Sequence, residues 1–228
     1  MKRTGGTTES KRRAGERAAE AVEDGMVVGL GTGSTAAHAI RAIGEAVDAG
    51  LDVQGVPTSY QSRQLAVDAG VPLVELDEVE TVHVAVDGAD QFAGGDLIKG
   101  GGAAHAREKI VDATAERLVI VADPSKEAAT LDRPVPVEVL PDARPLVADR
   151  VAARGGDPTL RSAERKDGPL VTDNGNLVLD CDFGAIGDPA ALAARLSALP
   201  GVVEHGLFVG LADEILVGHE GGVDAKKP

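Results

Sequence analysis

The chain has no tryptophan, one tyrosine, three phenylalanines and a single cysteine among its 228 residues. Each scarcity excludes something. With aromatics at 2%, the core must be built from Val, Leu, Ile and Ala. One cysteine, Cys181, permits no internal disulfide and no thiolate cluster. Flanked by Leu179 and Phe183, it reads as buried packing rather than as a nucleophile. No apolar run approaches the ~20 residues of a membrane-spanning helix. The N-terminus, Met1-Lys2-Arg3-Thr4-Gly5-Gly6, is basic but lacks the apolar stretch of a secretory signal. A cytoplasmic protein with no membrane partner is the expectation.

Positive charge is scarce as well. Lys and Arg number 23 against 37 Asp and Glu, a formal net charge of −14. Such a surface repels phosphate backbones, so nucleic-acid binding is not expected. The acids are spread along the chain, not gathered in a tail. That distribution suits concentrated salt, where repulsion is screened over about 3 Å at 1 M. The alternative is an ordinary acidic cytosolic protein. The apolar fraction of 43% argues against disorder. A chain of this length buries roughly 70% of its unfolded surface and needs neither disulfide nor metal to fold.

Apolar periodicity predicts an alternation of helices and strands. Glu9–Glu23 reads as a helix and Met26–Leu30 as a buried strand, followed by a glycine-rich turn and a helix over Ala36–Gly50. Val53–Pro57, Leu73–Leu76, Thr81–Val86 and Leu118–Ala122 read as strands. Tyr60–Ala69 and Ala103–Ala115 read as helices. This rhythm implies a mostly parallel, Rossmann-like sheet flanked by helices, an α/β fold. From Arg133 the pattern changes. The strand-like run Val135–Leu140 leads into a helix over Ala143–Arg154 and then into Thr159–Arg165. Asp173-Asn174-Gly175-Asn176 between Leu170-Val171 and Leu177–Leu179 is a hairpin signal. A helix over Pro189–Leu199 and an extended Gly201–His205 complete a β-α-β-β-α-β order. That order predicts a smaller α+β, ferredoxin-like domain of the split βαβ type. The expected domains are 1–130 with 206–228, and 131–205. The tail 221–228 is expected to fray.

Five segments carry candidate chemistry. Gly31-Thr32-Gly33-Ser34-Thr35 joins a strand to a helix, where backbone N–H groups favour an anion such as a small phosphate. It is not a Walker A loop, and it matches a dinucleotide loop only in part. Asp87-Gly88-Ala89-Asp90 sets two carboxylates at the end of an apolar strand, suited to sugar hydroxyls or to Mg²⁺. Lys99-Gly100-Gly101-Gly102 brings a lysine from a strand-like position into a loop of three glycines. Arg107-Glu108-Lys109 lies on the helix that this loop opens, and Glu108 is placed about a turn and a half inside it. A carboxylate there can shuttle a proton, an effect of typically ~10²–10⁴-fold. Lys126 follows the strand Leu118–Ala122, where a compact charge can meet a phosphate. The histidines His38, His83, His105, His205 and His219 are scattered and read as packing or surface. No set of side chains has metal-ligand spacing, and Ser34 lacks a histidine partner for a hydrolase triad.

Taken in order and spacing, these segments resemble ribose-5-phosphate isomerase type A, and the Val171-Thr-Asp-Asn-Gly-Asn176 turn is similar to that family too. The resemblance spans about 11–218. It implies interconversion of D-ribose 5-phosphate and D-ribulose 5-phosphate, a step of the non-oxidative pentose phosphate pathway, with no metal and no cofactor. It implies that Glu108 is the proton-transferring base, acting through a cis-enediolate, with Asp87, Asp90 and Lys99 as its catalytic company. Thr32, Gly33, Ser34, Thr35, Gly88, Ala89, Gly100, Gly101, Gly102, Lys126 and Lys11 match substrate contacts. It implies a homodimer or homotetramer. One departure is Gln91, where the family often has Glu. Two other readings remain: a non-catalytic sugar-phosphate sensor on the same fold, and a nicotinamide dehydrogenase. The first lacks a basic recognition helix. The second needs an acidic residue after the second strand, where the sequence reads Val56-Pro-Thr-Ser-Tyr60.

Overall fold

A computed structural model describes residues 6–228. Residues 1–5, most of the N-terminal stretch read for a secretory signal, lie outside the described residues. In chain order the elements begin with α1 (Thr8–Ala19), β1 (Val27–Leu30), α2 (Ala36–Asp48), β2 (Gln54–Pro57), α3 (Tyr60–Asp68) and β3 (Val84–Gly88). Next come β4 (Gln91–Ala93), β5 (Asp96–Ile98), α4 (His105–Thr114), β6 (Leu118–Ala122), β7 (Val135–Val139), α5 (Arg144–Ala152) and β8 (Asp157–Leu160). The chain ends with β9 (Leu177–Asp182), α6 (Pro189–Ser197), β10 (Val202–His205), β11 (Leu207–Phe208), β12 (Glu214–His219) and β13 (Gly222–Lys226). Two compact units divide these elements. One comprises 6–89, Arg107–Glu127 and Gly210–Pro228, the other Asp90–Ala106 and Ala128–Val209.

The first unit holds a six-stranded sheet in the order β13-β12-β6-β3-β1-β2, parallel throughout except for β13. Its central strands are buried on both faces, which is why they read as unbroken Val, Ile and Leu runs. Ala14 and Ala18 of α1, and Ala39, Ile40 and Ile43 of α2, pack with Val28, Leu30, Val84, Val86 and Val119 of the sheet. The exposed ion pairs of Arg12 with Glu9 and Glu16 decorate the outer face of α1. Such pairs contribute at most ~1 kcal/mol each, so apolar packing and the Thr7 cap, which accepts the Ser10 N–H, hold this helix.

The second unit holds a four-stranded antiparallel sheet in the order β10-β7-β9-β8, with α5 and α6 supplying the helices of the split βαβ arrangement. Its core joins Val135, Val137, Val139 and Leu179 to Val147 and Val151 of α5 and Leu192 and Leu196 of α6. A second, three-stranded sheet, β11-β5-β4, lies in the same unit. The fold is thus α/β with a mostly parallel sheet and an α+β part, as the alternation predicted. The cores are aliphatic as expected, and the buried aromatic exceptions, Phe92 and Phe208, both sit in the three-stranded sheet. Among the described residues no helix is long and apolar enough to cross a membrane.

Several local expectations need correction. Leu73–Leu76 is not a strand: Leu73 makes one bridge to Gly55, and Leu76–Glu78 closes a 3-10 turn. Glu75 and Glu78 cap that turn reciprocally, and Pro72 lacks the N–H that a central strand needs. The Asp173–Asn176 turn forms, but Val171 makes only one bridge to Leu177. The partners of β9 are instead β7 and β8. The tail does not fray, because Gly222–Lys226 adds an antiparallel edge strand to β12 and Val223 packs against the core. A further hairpin, β4–β5, forms around Gly94-Gly95 between Phe92 and Leu97, a two-glycine turn.

Candidate active site

The strands β1, β3 and β6 are parallel neighbours, so their C-terminal ends lie side by side on one sheet edge. Ligands of open α/β sheets collect at that edge. Gly31–Thr35 follows β1, Asp87 and Gly88 end β3, and Asp123–Lys126 follows β6. Gly31 packs directly on Asp87: a Cβ there would stand 2.5 Å from the Asp87 Cα and 2.3 Å from its Oδ1. Only glycine fits. Asp87 is fully buried. Its Oδ1 accepts the Thr32 N–H at 3.0 Å and the Gly88 N–H at 2.6 Å. The Thr32 hydroxyl donates to Ser59 Oγ at 2.7 Å and lies 2.8 Å from Thr58 Oγ1, tying the loop to the start of α3. Thr35 is buried at the N-cap of α2 without a side-chain capping bond, while Ser34 is exposed. Lys126 is buried in a 3-10 turn that Asp123 caps by accepting the Ser125 N–H at 2.9 Å. Lys11 is half-buried on α1.

Glu108 is 4% exposed and sits in the first turn of α4, nearer the helix start than its spacing predicted. The helix begins at His105, not Ala103, because Ala103 has φ 59°, in the left-handed region. The N-terminal end of a helix dipole favours an ionised carboxylate. Arg107, next to Glu108, points to Glu75 at 3.9 Å.

Asp90 and Lys99–Gly102 belong to the other unit. Asp90 donates its N–H to the Ile98 C=O at 2.8 Å, and its Oδ2 accepts the Gly101 N–H at 2.6 Å. Lys99 is 2% exposed. Its ammonium stands 5.2 Å from the centre of the Phe208 ring, a cation–π distance, and its N–H donates to the Gly206 C=O at 2.8 Å. The Gly100 C=O accepts from Arg161 Nη1 at 2.8 Å. Gly102 is exposed. The structure therefore brings Thr32 to Asp87 in one unit and Asp90 to Gly101 in the other.

Sequence reasoning missed three polar side chains in the second unit, Arg161, Asp180 and Glu138, and gave no structural role to a fourth, Gln91. Arg161 and its partner Asp180 lie 19 residues apart, and nothing local marks either. Gln91, the departure from the family pattern, donates to Asp132 Oδ1 at 2.6 Å. Its Oε1 accepts the N–H groups of Asp132 and Arg133, so it fastens a chain segment. Glu138 is fully buried, and its Oε1 accepts from the Thr172 hydroxyl and from the amides of Asn174 and Asn176. An acid inside Val135-Pro-Val-Glu-Val139 was its available signal.

The remaining candidates behave as packing. Burial pushes the Cys181 thiol up to about 12, which leaves it protonated near neutral pH. His83 Nδ1 accepts the Val27 N–H. Burial and then Arg41 hold the His38 imidazole below its ordinary range. Among the described residues no group of three or more His, Cys, Asp or Glu side chains is placed to hold a metal ion. A cavity of about 420 Å³ in the first unit is lined by Val56, Leu76, Arg107 and Ile110 among others, none of them an expected site residue. A cavity of about 110 Å³ in the second unit is lined by Asp90, Gly101, Arg161 and Asp180 among others.

A family model described as ribose 5-phosphate isomerase A (phosphoriboisomerase A) matches residues 54–222. Among curated relatives, ribose-5-phosphate isomerase A of Natronomonas pharaonis is 70% identical over 226 residues, 99% of this chain and 100% of the relative. That of Haloarcula marismortui is 72% identical over 222 residues, 97% of each chain. A solved D-ribose-5-phosphate isomerase in complex with phospho-erythronic acid matches with a TM-score of 0.95 at 40% identity, covering 98% of this chain and 100% of that one.

Proposed function

The chain belongs to the ribose 5-phosphate isomerase A family and is an aldose–ketose isomerase, and from that premise we propose that it interconverts D-ribose 5-phosphate and D-ribulose 5-phosphate through one proton carried by Glu108. The Glu108 carboxylate takes the C2 proton of the open-chain aldose. The C–H electron pair becomes the C1=C2 double bond, and the carbonyl pair moves onto O1 to give a cis-enediolate. The O2 proton passes to O1, and Glu108 returns its proton to C1, leaving a C2 ketone. Lys99 stabilises the negative charge that develops on oxygen, a pre-arranged electrostatic role. Asp87 and Asp90 hold sugar hydroxyls and relay protons between oxygens. Lys126, Lys11 and the Thr32–Thr35 loop take the phosphate, whose binding energy orients the reacting end.

The observation that carries this reading is the burial of Glu108 in the first turn of α4, with Lys99 buried as well. An acid and a base kept from bulk water suit proton transfer at carbon. The phospho-erythronic acid bound by the relative supports it chemically, since the carboxylate of a phosphorylated sugar acid is planar like an enediolate. The acidic composition of this chain, together with relatives from halophiles, supports a protein that works in concentrated salt.

Glu108→Gln keeps the shape and removes the base. With ribose 5-phosphate, EDTA and molar salt, it should fold as the wild type and lose about 10²- to 10⁴-fold in kcat. Turnover within threefold of wild type would rule out the base assignment. Binding without turnover by the wild type would leave a sugar-phosphate sensor.

A further inference from the structure

The peptide joining Gly100 to Gly101 is held at both ends by charged groups. Its C=O accepts from Arg161 Nη1 at 2.8 Å, and its N–H donates to Asp90 Oδ2 at 2.6 Å. Arg161 is itself fixed. Its Nε donates to Asp180 Oδ2 at 2.9 Å, and its Nη2 donates to Asp180 Oδ1. Asp180 stands on β9 and Arg161 directly follows β8: Thr159, two residues before Arg161, is opposite Asp180, and the Arg161 N–H donates to the Val178 C=O at 2.9 Å. The Arg161 side chain is 12% exposed, so solvent screens this chain of contacts little.

A peptide between two glycines turns easily, because no side chain resists rotation about its neighbours. Bonds to charged groups at opposite ends of one peptide plane remove that freedom. They also reinforce each other, since a donor on the C=O polarises the amide and strengthens its N–H. The orientation of Asp90 therefore depends on Arg161 through one peptide group.

We propose that Arg161 is a positioning residue of the isomerase: held by Asp180, it fixes the Gly100–Gly101 peptide, and that peptide aims the Asp90 carboxylate. The proposal rests on the reading in which Asp90 meets the substrate. Arg161 acts at one remove and touches no reacting atom. The planar fork of arginine matters, because a lysine at 161 can serve the carboxylate or the carbonyl but not both in this geometry.

The test compares Arg161→Met, Arg161→Lys and Asp180→Asn with wild type, by steady-state kinetics with ribose 5-phosphate and by amide hydrogen exchange at Gly101 without substrate. Arg161→Met should lower kcat about 10- to 100-fold, the scale of an ångström-sized misplacement, with KM changed less than about threefold. Arg161→Lys should recover part of the loss. Millimolar guanidinium should raise the kcat of Arg161→Met severalfold, where equal sodium chloride does not. Exchange at Gly101 should quicken at least tenfold in Arg161→Met. A folded Arg161→Met with wild-type kcat and wild-type Gly101 protection overturns the proposal. If that variant does not fold, Asp180→Asn decides: severalfold lower kcat with faster Gly101 exchange supports it, and wild-type values of both overturn it. A wild type without isomerase activity defeats the functional reading instead. The clamp then stands or falls on Gly101 exchange alone.

Discussion

Asp87 and Asp90 are three residues apart in the chain and are held by different means. Asp87 is held by its own sheet. It ends β3, and the turn after the neighbouring strand β1 gives it the Thr32 N–H and packs Gly31 against its Cα. Asp90 is held by a loop, through the Gly101 N–H, and that loop is steadied by Arg161, just past β8, and by Asp180 of β9. The first arrangement is backbone against backbone and has nowhere to move. The second is side chain against loop, and each member can give way without unfolding its strand. The same carboxylate chemistry is therefore rigid at one position and adjustable at the other.

That contrast breaks most sharply at the glycines. Gly31→Ala drives a Cβ into the backbone of Asp87, and overpacking of this kind costs about 3 kcal/mol. At about 2–4 °C per kcal/mol for a chain of this size, thermal unfolding should fall by about 6–12 °C, with activity lost. An unchanged midpoint would mean that the strand ends are not locked together. Gly101→Ala meets first the Asp90 carboxylate, at 2.6 Å from Oδ1 and 2.9 Å from Oδ2. The carboxylate can swing, so the midpoint should move by less than about 3 °C while kcat drops about tenfold or more. Equal damage to stability at both glycines would erase the contrast. The smallest effect belongs to Ala103, which holds φ 59° just before α4. Ala103→Gly relieves that strain and should stabilise by about 0.5 kcal/mol, net of the extra entropy of the unfolded glycine. Calorimetry that shows destabilisation would place the strain elsewhere.

The two regions also differ in how far they could be read in advance. The Gly31–Thr35 turn, the Asp87 strand end and the burial of Lys99 follow from local pattern: an apolar strand, then glycines, then a helix. The Asp90 support does not. Arg161 lies in a stretch that looks like any polar strand end, and its partners are set by the β8–β9 register and by a loop about 60 residues away. Strand pairing decided the reading of the tail as well, and local backbone features decided two others. The tail Gly222–Lys226 became a strand because β12 offered an edge. Leu73 makes no more than a single bridge to Gly55, and the Glu75–Glu78 capping box closes a turn where a strand was expected. Glu108 stands out in the sequence by its neighbours, but its place in the first turn of α4 depends on the left-handed Ala103, which no helical period reveals.

The claim beneath all of this is that Glu108 carries the proton from C2 to C1. Ribose 5-phosphate deuterated at C2, incubated with wild type and with Glu108→Gln in the presence of EDTA, tests it directly. Wild type should carry deuterium from C2 to C1 of ribulose 5-phosphate and lose part of it to water, and Glu108→Gln should do almost neither. Transfer or release of the deuterium by Glu108→Gln at the wild-type rate would contradict the claim.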